Sequence, residues 1–277
     1  ETTVGEYSLS AVGPGPRALR TLKLAKARGL ETIAKVQAGC TWELSAVPYI
    51  PAVELAAEHA RRLANVPVDG VKLGWTLGGY PSPNVESFGR HAFHDMLTHV
   101  DIVTPRPASI ASSIALRRFG AAHSLAVADA WARMSEAFRE YPFHGGVVYN
   151  SPIQLGPANL LYAEESGYAS TMVGFPYDDL DGWRAVYPAE VYAGQLERVA
   201  RGWEDGLAVF PDGKDLPPSL AAERRVAAAS LLHFGSVAAQ ARFFMARRAY
   251  RAALASKKRE EALAALADLE RIARDEE

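Results

Sequence analysis

Polar and aromatic side chains lie in or directly after three segments whose composition is typical of β-strands. They are Glu6 and Tyr7 in the first segment, Gln37, Trp42 and Glu43 after the second, and Trp75, Tyr80 and Asn84 at the end of the third. Aromatic faces stack on sugar rings, and amides and carboxylates bind hydroxyl groups. The set suits a neutral, polyhydroxylated ligand. We therefore predict that carbohydrate contacts Tyr7, Gln37, Trp42, Trp75, Tyr80 and Asn84.

Glu6 and Glu43 are the carboxylates among these residues. Hydrolysis of a glycosidic bond needs one carboxylic acid to protonate the leaving oxygen and a second group to attack or stabilise the resulting cation. We predict Glu6 and Glu43 as the catalytic pair. Other interpretations stay open: Glu6 as an ordinary polar residue at a strand end, and Glu43 at the start of a helix, where negative charge is favourable. Trp42 and Trp75 are equally compatible with a place in the core.

The elements that must position these residues alternate over the first 85 residues. Strand patterns cover Thr2–Ser10, Thr32–Ala38 and Val71–Leu77, and helical patterns cover Arg17–Arg28 and Pro51–Val66. This βαβαβ order predicts a parallel sheet, in which functional residues lie at the carboxyl ends of the strands. A doubly wound sheet is the alternative. It is disfavoured because the glycine-rich turn after the first strand, GPGPR, has two prolines, which lack the amide donors of a phosphate-binding turn.

Helical patterns predominate after Asn84, and two long segments near the C-terminus, 218–254 and 257–275, are rich in Ala, Leu, Arg and Glu. The chain starts with Glu, directly before a strand pattern, which predicts that an upstream part is missing. We predict the fold class α/β: the last strands of a (β/α)8 TIM-type barrel in residues 1–105, followed by an α-helical C-terminal domain in residues 106–277.

A long irregular segment, 141–188, is dense in Gly, Pro, Asn and aromatic residues. Loops of this length in compact proteins are usually functional. We predict that Asp178, Asp179 and Trp183 lie near the carboxyl-end mouth of the barrel and contact the substrate. The acidic run there does not fit a calcium-binding EF-hand loop, because a proline, Pro188, falls at the position of the closing glutamate.

Composition excludes several classes of protein. The 277 residues carry 30 basic and 32 acidic side chains, a net charge of −2, which argues against a nucleic-acid partner. No apolar run is long enough to span a membrane. The single cysteine, Cys40, forms neither an internal disulfide nor a cysteine metal cluster.

His91 and His94 have helical spacing but no HExxH arrangement, so we predict no metal site and no cofactor. Compartment and oligomeric state stay open.

Three stretches, VGEYSLSAVGPGPRA, AKVQAGCTWELSAVPYIPA and VKLGWTLGGYPSPN, resemble the C-terminal part of (β/α)8-barrel glycoside hydrolase-like proteins. Two later stretches, AWARMSEAFREYPFHGGVVYNSPIQLGPANLLY and FPYDDLDGWRAVYP, resemble the helical domain that follows the barrel in hexosaminidase-like and glucuronidase-like proteins. The resemblance implies hydrolysis of a glycosidic bond by carboxylate acid/base chemistry. The alternative is a non-catalytic carbohydrate-binding protein that has lost the acid/base pair, since a fold does not guarantee an activity.

Replacement of Glu6 by Gln tests the predicted acid/base role. We expect Glu6→Gln to lower turnover of a glycoside substrate by about 100-fold or more, because a general acid or base typically contributes that much. The measurement is the rate on a panel of aryl glycosides, with circular dichroism as the check on folding. An unchanged rate in a folded, active protein would show that Glu6 takes no part in the chemistry.

Overall fold

The computed structural model describes residues 8–74, 79–89, 109–172 and 174–276. Within these ranges the chain forms ten α-helices and two short strands. In chain order they are α1 (Pro16–Ala27), β1 (Ile33–Lys35), α2 (Val53–Ala64), β2 (Gly70–Lys72), α3 (Pro83–Phe88), α4 (Ile110–Phe119), α5 (Ala121–Phe138), α6 (Gly145–Asn150), α7 (Leu180–Trp183), α8 (Ala189–Val209), α9 (Pro218–Ala255) and α10 (Arg259–Asp275). Two 3-10 turns, Pro152–Gln154 and Gly156–Ala158, follow α6.

The prediction of an α/β fold with the last strands of a (β/α)8 barrel is wrong, because the architecture is predominantly α-helical. β1 and β2 pair in parallel, with Ile33 opposite Gly70. Further backbone bonds extend the pairing at both ends, from Asp69 N to Thr32 O (2.8 Å), from Val36 N to Lys72 O (2.7 Å) and from Gly39 N to Leu73 O (2.8 Å). The described residues contain no third strand, whereas a barrel wall needs eight paired strands. In the described residues the β-branched patterns thus give a two-stranded sheet rather than part of a barrel wall.

Parts of the predicted organisation lie outside the described residues. They include residues 2–7 of the first predicted strand and residues 75–77 of the third. The proposed boundary near residue 105 also lies outside them, so the division into 1–105 and 106–277 stays a prediction. Of the described residues of the first predicted strand, Leu9 and Ser10 form a bend and Ser8 has no regular secondary structure.

Local sequence explains where several helices begin and end. Ser82 caps α3 by accepting a hydrogen bond from Val85 N, with Pro83 in the first turn, and Ser109 caps α4 in the same way. Gly120, with φ of 74°, separates α4 from α5, because a residue without Cβ adopts this conformation at little cost. α2 buries one apolar face and places arginines in its last turn, where positive charge favours the helix dipole.

The chain divides into two compact units. The first unit takes the described part of residues 1–139 together with residues 201–230. Its core is rich in aromatic side chains: Phe138 and Trp203 meet edge to face at 5.9 Å between ring centroids, and Trp203 Nε1 donates to Ala227 O. Such pairs add about 0.5–1.5 kcal/mol to the burial of their area, so these rings fix the packing of α5 in this unit.

The second unit takes residues 140–200 and 231–277, of which 173 and 277 are not described. Trp183 is fully buried here, its ring lies edge to face against Phe244 at 5.4 Å, and its Nε1 donates to Pro176 O at 2.8 Å. These contacts attach the segment before α7 to the helix that carries Phe244. None of the helices in the described residues has both the length and the apolar composition needed to cross a membrane.

Candidate functional site

The Glu43 carboxylate lies in the first unit, in the loop between β1 and α2, and has no solvent exposure. Oε1 accepts hydrogen bonds from Ser10 N at 3.0 Å, from the Ser8 hydroxyl at 3.2 Å and from the Ser10 hydroxyl, while Oε2 accepts one from Leu9 N. Glu43 N in turn donates to the Thr41 hydroxyl at 3.1 Å. One side chain thus fastens residues 8–10 to the loop that follows β1.

Burial raises the pKa of Glu43 from its ordinary value of 4.5 to about 7, although the bonds from Ser10, Leu9 and Ser8 partly oppose the shift. A carboxyl group with this pKa is about half protonated at neutral pH, which is the condition that suits a general acid or base. In the described conformation, however, four donors occupy its oxygens and no surface of it faces solvent. Glu6, its predicted partner, and Tyr7 lie outside the described residues, so the carboxylate pair stays a prediction.

The side-chain amides of Gln37 and Asn84, which are predicted to bind substrate, are buried and do not form all the hydrogen bonds that they could. Gln37 is 1% exposed, and neither Oε1 nor Nε2 has a hydrogen-bond partner in the described structure. Asn84 Nδ2 donates to Ile50 O at 2.7 Å, whereas its Oδ1 has no partner there. A buried polar atom without a partner costs about 1–3 kcal/mol, so both terminal atoms of the Gln37 side chain oppose folding in this conformation. Of the predicted indoles, Trp42 is half-buried and Trp75 lies outside the described residues.

Tyr80 is the predicted substrate residue that the structure leaves open to solvent, with 42% of its surface exposed. Its ring stacks on the fully buried ring of Tyr49, with 5.6 Å between centroids and 21° between planes. Tyr49 was not among the predicted site residues, because it does not directly follow a strand pattern. A buried carboxylate, Glu223, accepts a hydrogen bond from Trp131 Nε1 at 3.1 Å, and burial raises its pKa. Glu223 was also absent from the predicted site residues, because it belongs to a helical pattern far along the chain.

In the second unit, Asp178 forms a buried ion pair with Arg247. The distance from Asp178 Oδ2 to Arg247 Nη2 is 2.6 Å, and both side chains are about 95% buried, with 5% and 4% exposure. Arg247 Nη1 also donates to Tyr162 O at 2.6 Å and to Glu164 O at 3.0 Å. Burial acts to raise the pKa of Asp178, but the Ser166 hydroxyl and Arg247 outweigh it and lower that pKa. The pair therefore holds residues 162–166 against the helix that carries Arg247.

Asp179 and Trp183 also help to hold the segment around residues 162–183 in place. Asp179 caps α7 by accepting a bond from Gly182 N at 3.0 Å, and it accepts further bonds of 2.8 Å from Ser170 N and the Ser170 hydroxyl. A Cβ at position 182 would collide with the Asp179 carboxylate, so only glycine permits this arrangement. Trp183 lies in the core. All three predicted residues, Asp178, Asp179 and Trp183, thus position the segment, and their contact with substrate stays a prediction.

Three aromatic rings, Tyr168, Phe175 and Tyr177, form a cluster on the segment held by these contacts. The ring of Tyr177 lies 5.1 Å from that of Tyr168 and 5.7 Å from that of Phe175, with tilts of 32° and 38°. Tyr168 is 66% and Phe175 is 57% exposed. The density of aromatic residues in 141–188 was the signal in the sequence. Which of them reach the surface depends on packing that the sequence does not reveal.

The backbone of this aromatic cluster is strained. Tyr177 has φ of 52°, in the left-handed region, which costs a residue other than glycine about 1 kcal/mol or more. Asn159 stabilises this conformation: its Nδ2 donates to Tyr177 O at 2.9 Å and to Gln240 Oε1 at 2.8 Å. Strain that is maintained by buried contacts is often found at functional sites. The aromatic cluster is therefore a candidate ligand surface.

Comparison with known proteins found no matching family model, no similar curated protein and no similar solved structure. Together with the helical architecture, this overturns the resemblance to (β/α)8-barrel glycoside hydrolase-like proteins. In the described residues, no group of three or more His, Cys, Asp or Glu side chains is arranged to hold a metal ion.

The raised pKa of Glu43 predicts a specific dependence of stability on pH. Between pH 4.5 and 7 the folded protein retains a proton that the unfolded chain has lost, so stability falls as pH rises through this range, by about 3 kcal/mol. We expect Glu43→Gln to remove this fall, as measured by urea unfolding at several pH values. His59 has the opposite effect, because burial lowers its pKa to about 4, but it is common to both proteins and cancels in their difference. Parallel pH profiles for the two proteins would contradict the prediction.

The buried ion pair predicts a large difference between two similar substitutions. We expect Asp178→Asn to lower the free energy of unfolding by about 3–5 kcal/mol, since it leaves the Arg247 charge buried and unpaired. The matched control is Asp181→Asn, because Asp181 pairs with Arg184 and Arg248 while 55% of its side chain is exposed. The control should change stability by at most about 1 kcal/mol. Equal effects in urea unfolding would show that the Asp178 pair is not essential.

Proposed function

We propose that this protein binds carbohydrate through the aromatic cluster of Tyr168, Phe175 and Tyr177. The observation that carries the proposal is that two large rings, 66% and 57% exposed, lie side by side with a third on a segment anchored by buried contacts. Aromatic rings supply a large apolar face with little conformational freedom to lose on binding. The apolar faces of sugar rings match such a surface.

Polar side chains of the same unit, a few residues before Tyr168 in the sequence, offer groups that could orient a sugar. Glu164 and Glu165 are exposed and pair with Arg251. Carboxylates accept hydrogen bonds from hydroxyl groups, and guanidinium groups donate hydrogen bonds to them. The ion pair between Asp178 and Arg247 and the cap formed by Asp179 keep the rings in place before a ligand arrives, which lowers the entropic cost of binding.

Alanine substitutions test the proposal. We expect Tyr168→Ala and Phe175→Ala each to weaken binding of a soluble neutral polysaccharide by about tenfold, as expected for the loss of an aromatic side chain at the centre of an interface. Thermal stability should change little, because both rings are largely exposed. The control is Val186→Ala, at a residue of the second unit that is 71% exposed and lies outside the aromatic cluster.

The measurement is the retardation of the protein in native gels that contain glucan, mannan or xylan, followed by calorimetry with the best ligand. Binding that survives both aromatic substitutions would refute the assignment to this surface. No retardation by any polysaccharide, in a folded protein, would argue against carbohydrate binding and favour a protein partner for the aromatic cluster.

Hydrolysis of a glycosidic bond is a second candidate, favoured by the pKa of about 7 at Glu43. Turnover would require residues 8–10 to move away from the carboxylate, because they occupy its oxygens in the described conformation. An aryl-glycoside panel assayed on the unmodified chain and on Glu43→Gln tests this. Hydrolysis that the substitution abolishes would support it, and an inactive unmodified chain would leave carbohydrate binding as the sole proposal.

A further inference from the structure

The helix α1 lies at the surface of the first unit, and all of its charged side chains are positive. None of its residues is buried, and the stretch from Gly13 to Leu30 contains no Asp or Glu. A helix in a folded protein usually gains most of its stability by burying an apolar face. α1 gains little in this way, so its exposed side chains are candidates for contact with a partner. The exposed cations are Arg17, Arg20, Lys23 and, at the C-cap, Arg28.

Helical spacing places these cations on one face of α1. Successive residues of an α-helix are rotated by about 100°, so Arg17, Arg20 and Lys23 fall within an arc of about 120°. Lys26 lies outside this arc, and it pairs with Asp69. None of the cations within the arc forms an ion pair with a carboxylate in the part of the chain that the structure describes. The result is a continuous basic face whose charge is not neutralised by its neighbours.

The basic face of α1 also contains an exposed apolar side chain. Leu24 falls between Arg17 and Arg20 around the helix axis and is 52% exposed, and Leu30, directly after the helix, is 57% exposed. The phosphate backbone of a nucleic acid attracts the cations but gains nothing from a leucine, and the net charge of −2 already argues against such a partner. The boundary between the headgroups and the acyl chains of an anionic bilayer accommodates both kinds of side chain.

We propose that the basic face of α1 binds the anionic surface of a phospholipid bilayer. Its arginines and lysine contact the negatively charged headgroups, and Leu24 enters the layer below them. Each Lys or Arg close to such a surface raises the affinity by about fivefold. A helix bound in this way lies on the bilayer and does not cross it. The proposed carbohydrate surface belongs to the second unit, so the two proposals are independent of each other.

Co-sedimentation of the whole chain with lipid vesicles tests the proposal. We expect binding to phosphatidylcholine vesicles in which about a third of the lipid is phosphatidylserine, and none to vesicles of phosphatidylcholine alone. Arg20→Gln and Lys23→Gln should each weaken binding by about fivefold, and glutamine preserves the helix because it is a good helix former. Arg133→Gln is the matched control, since it removes the same charge from α5, where Arg133 pairs with Asp129.

A further substitution distinguishes a bilayer from a purely ionic partner. Leu24→Ala keeps every charge of α1 and the helix, and it should weaken vesicle binding by about fivefold because less apolar surface enters the bilayer. Unchanged vesicle binding in Leu24→Ala, or tighter binding of the unmodified chain to duplex DNA than to the vesicles, would overturn the proposal. So would equal binding to both kinds of vesicle, no binding to either, or equal losses in Arg20→Gln and Arg133→Gln. Circular dichroism confirms that each variant is folded.

Discussion

The buried ion pair between Asp178 and Arg247 is the interaction on which the candidate carbohydrate surface depends. Burying two charges to about 95% is costly, and further hydrogen bonds to the charged groups offset part of that cost. Arg247 Nη1 donates to the carbonyl groups of Tyr162 and Glu164, and Asp178 accepts a bond from the Ser166 hydroxyl, whereas Arg247 Nε has no hydrogen-bond partner in the described structure. A segment rich in glycine and aromatic residues thereby acquires a defined shape against the long helix α9, which carries Arg247.

The first unit illustrates a different use of buried polar groups. Residues 8–10 do not pair in a sheet. They donate four hydrogen bonds to the carboxylate of Glu43 instead. Gln37, in contrast, is buried with no partner for its amide among the described residues. A carboxylate whose oxygens accept several hydrogen bonds stabilises the loop that donates them. A buried amide without hydrogen-bond partners lowers the stability of the fold, and it is compatible with a role in binding. The two side chains have nearly the same size, but only the carboxylate can accept hydrogen bonds at both of its terminal atoms, as Glu43 does here.

Local patterns predicted helices well and the fold poorly. The pattern over Arg17–Arg28 corresponds to α1, and that over Pro51–Val66 corresponds to α2, because helical spacing and end signals are properties of neighbouring residues. The strand patterns were read as a barrel, yet only three residues of each described strand pair, since sheet formation depends on distant partners. The contact between Asp178 and Arg247 spans 69 positions in the sequence, and that between Ser8 and Glu43 spans 35. Residue types and local spacing contain no signal for either contact, so the sequence identified Asp178 and Glu43 but not what they do.

A crystal structure of the protein with a bound neutral oligosaccharide would show whether the aromatic cluster is the sugar-binding surface. We expect sugar rings to lie in van der Waals contact with the faces of Tyr168 and Phe175, and the ion pair between Asp178 and Arg247 to be unchanged from the free protein. An oligosaccharide bound elsewhere, with these two rings still exposed to solvent, would contradict it.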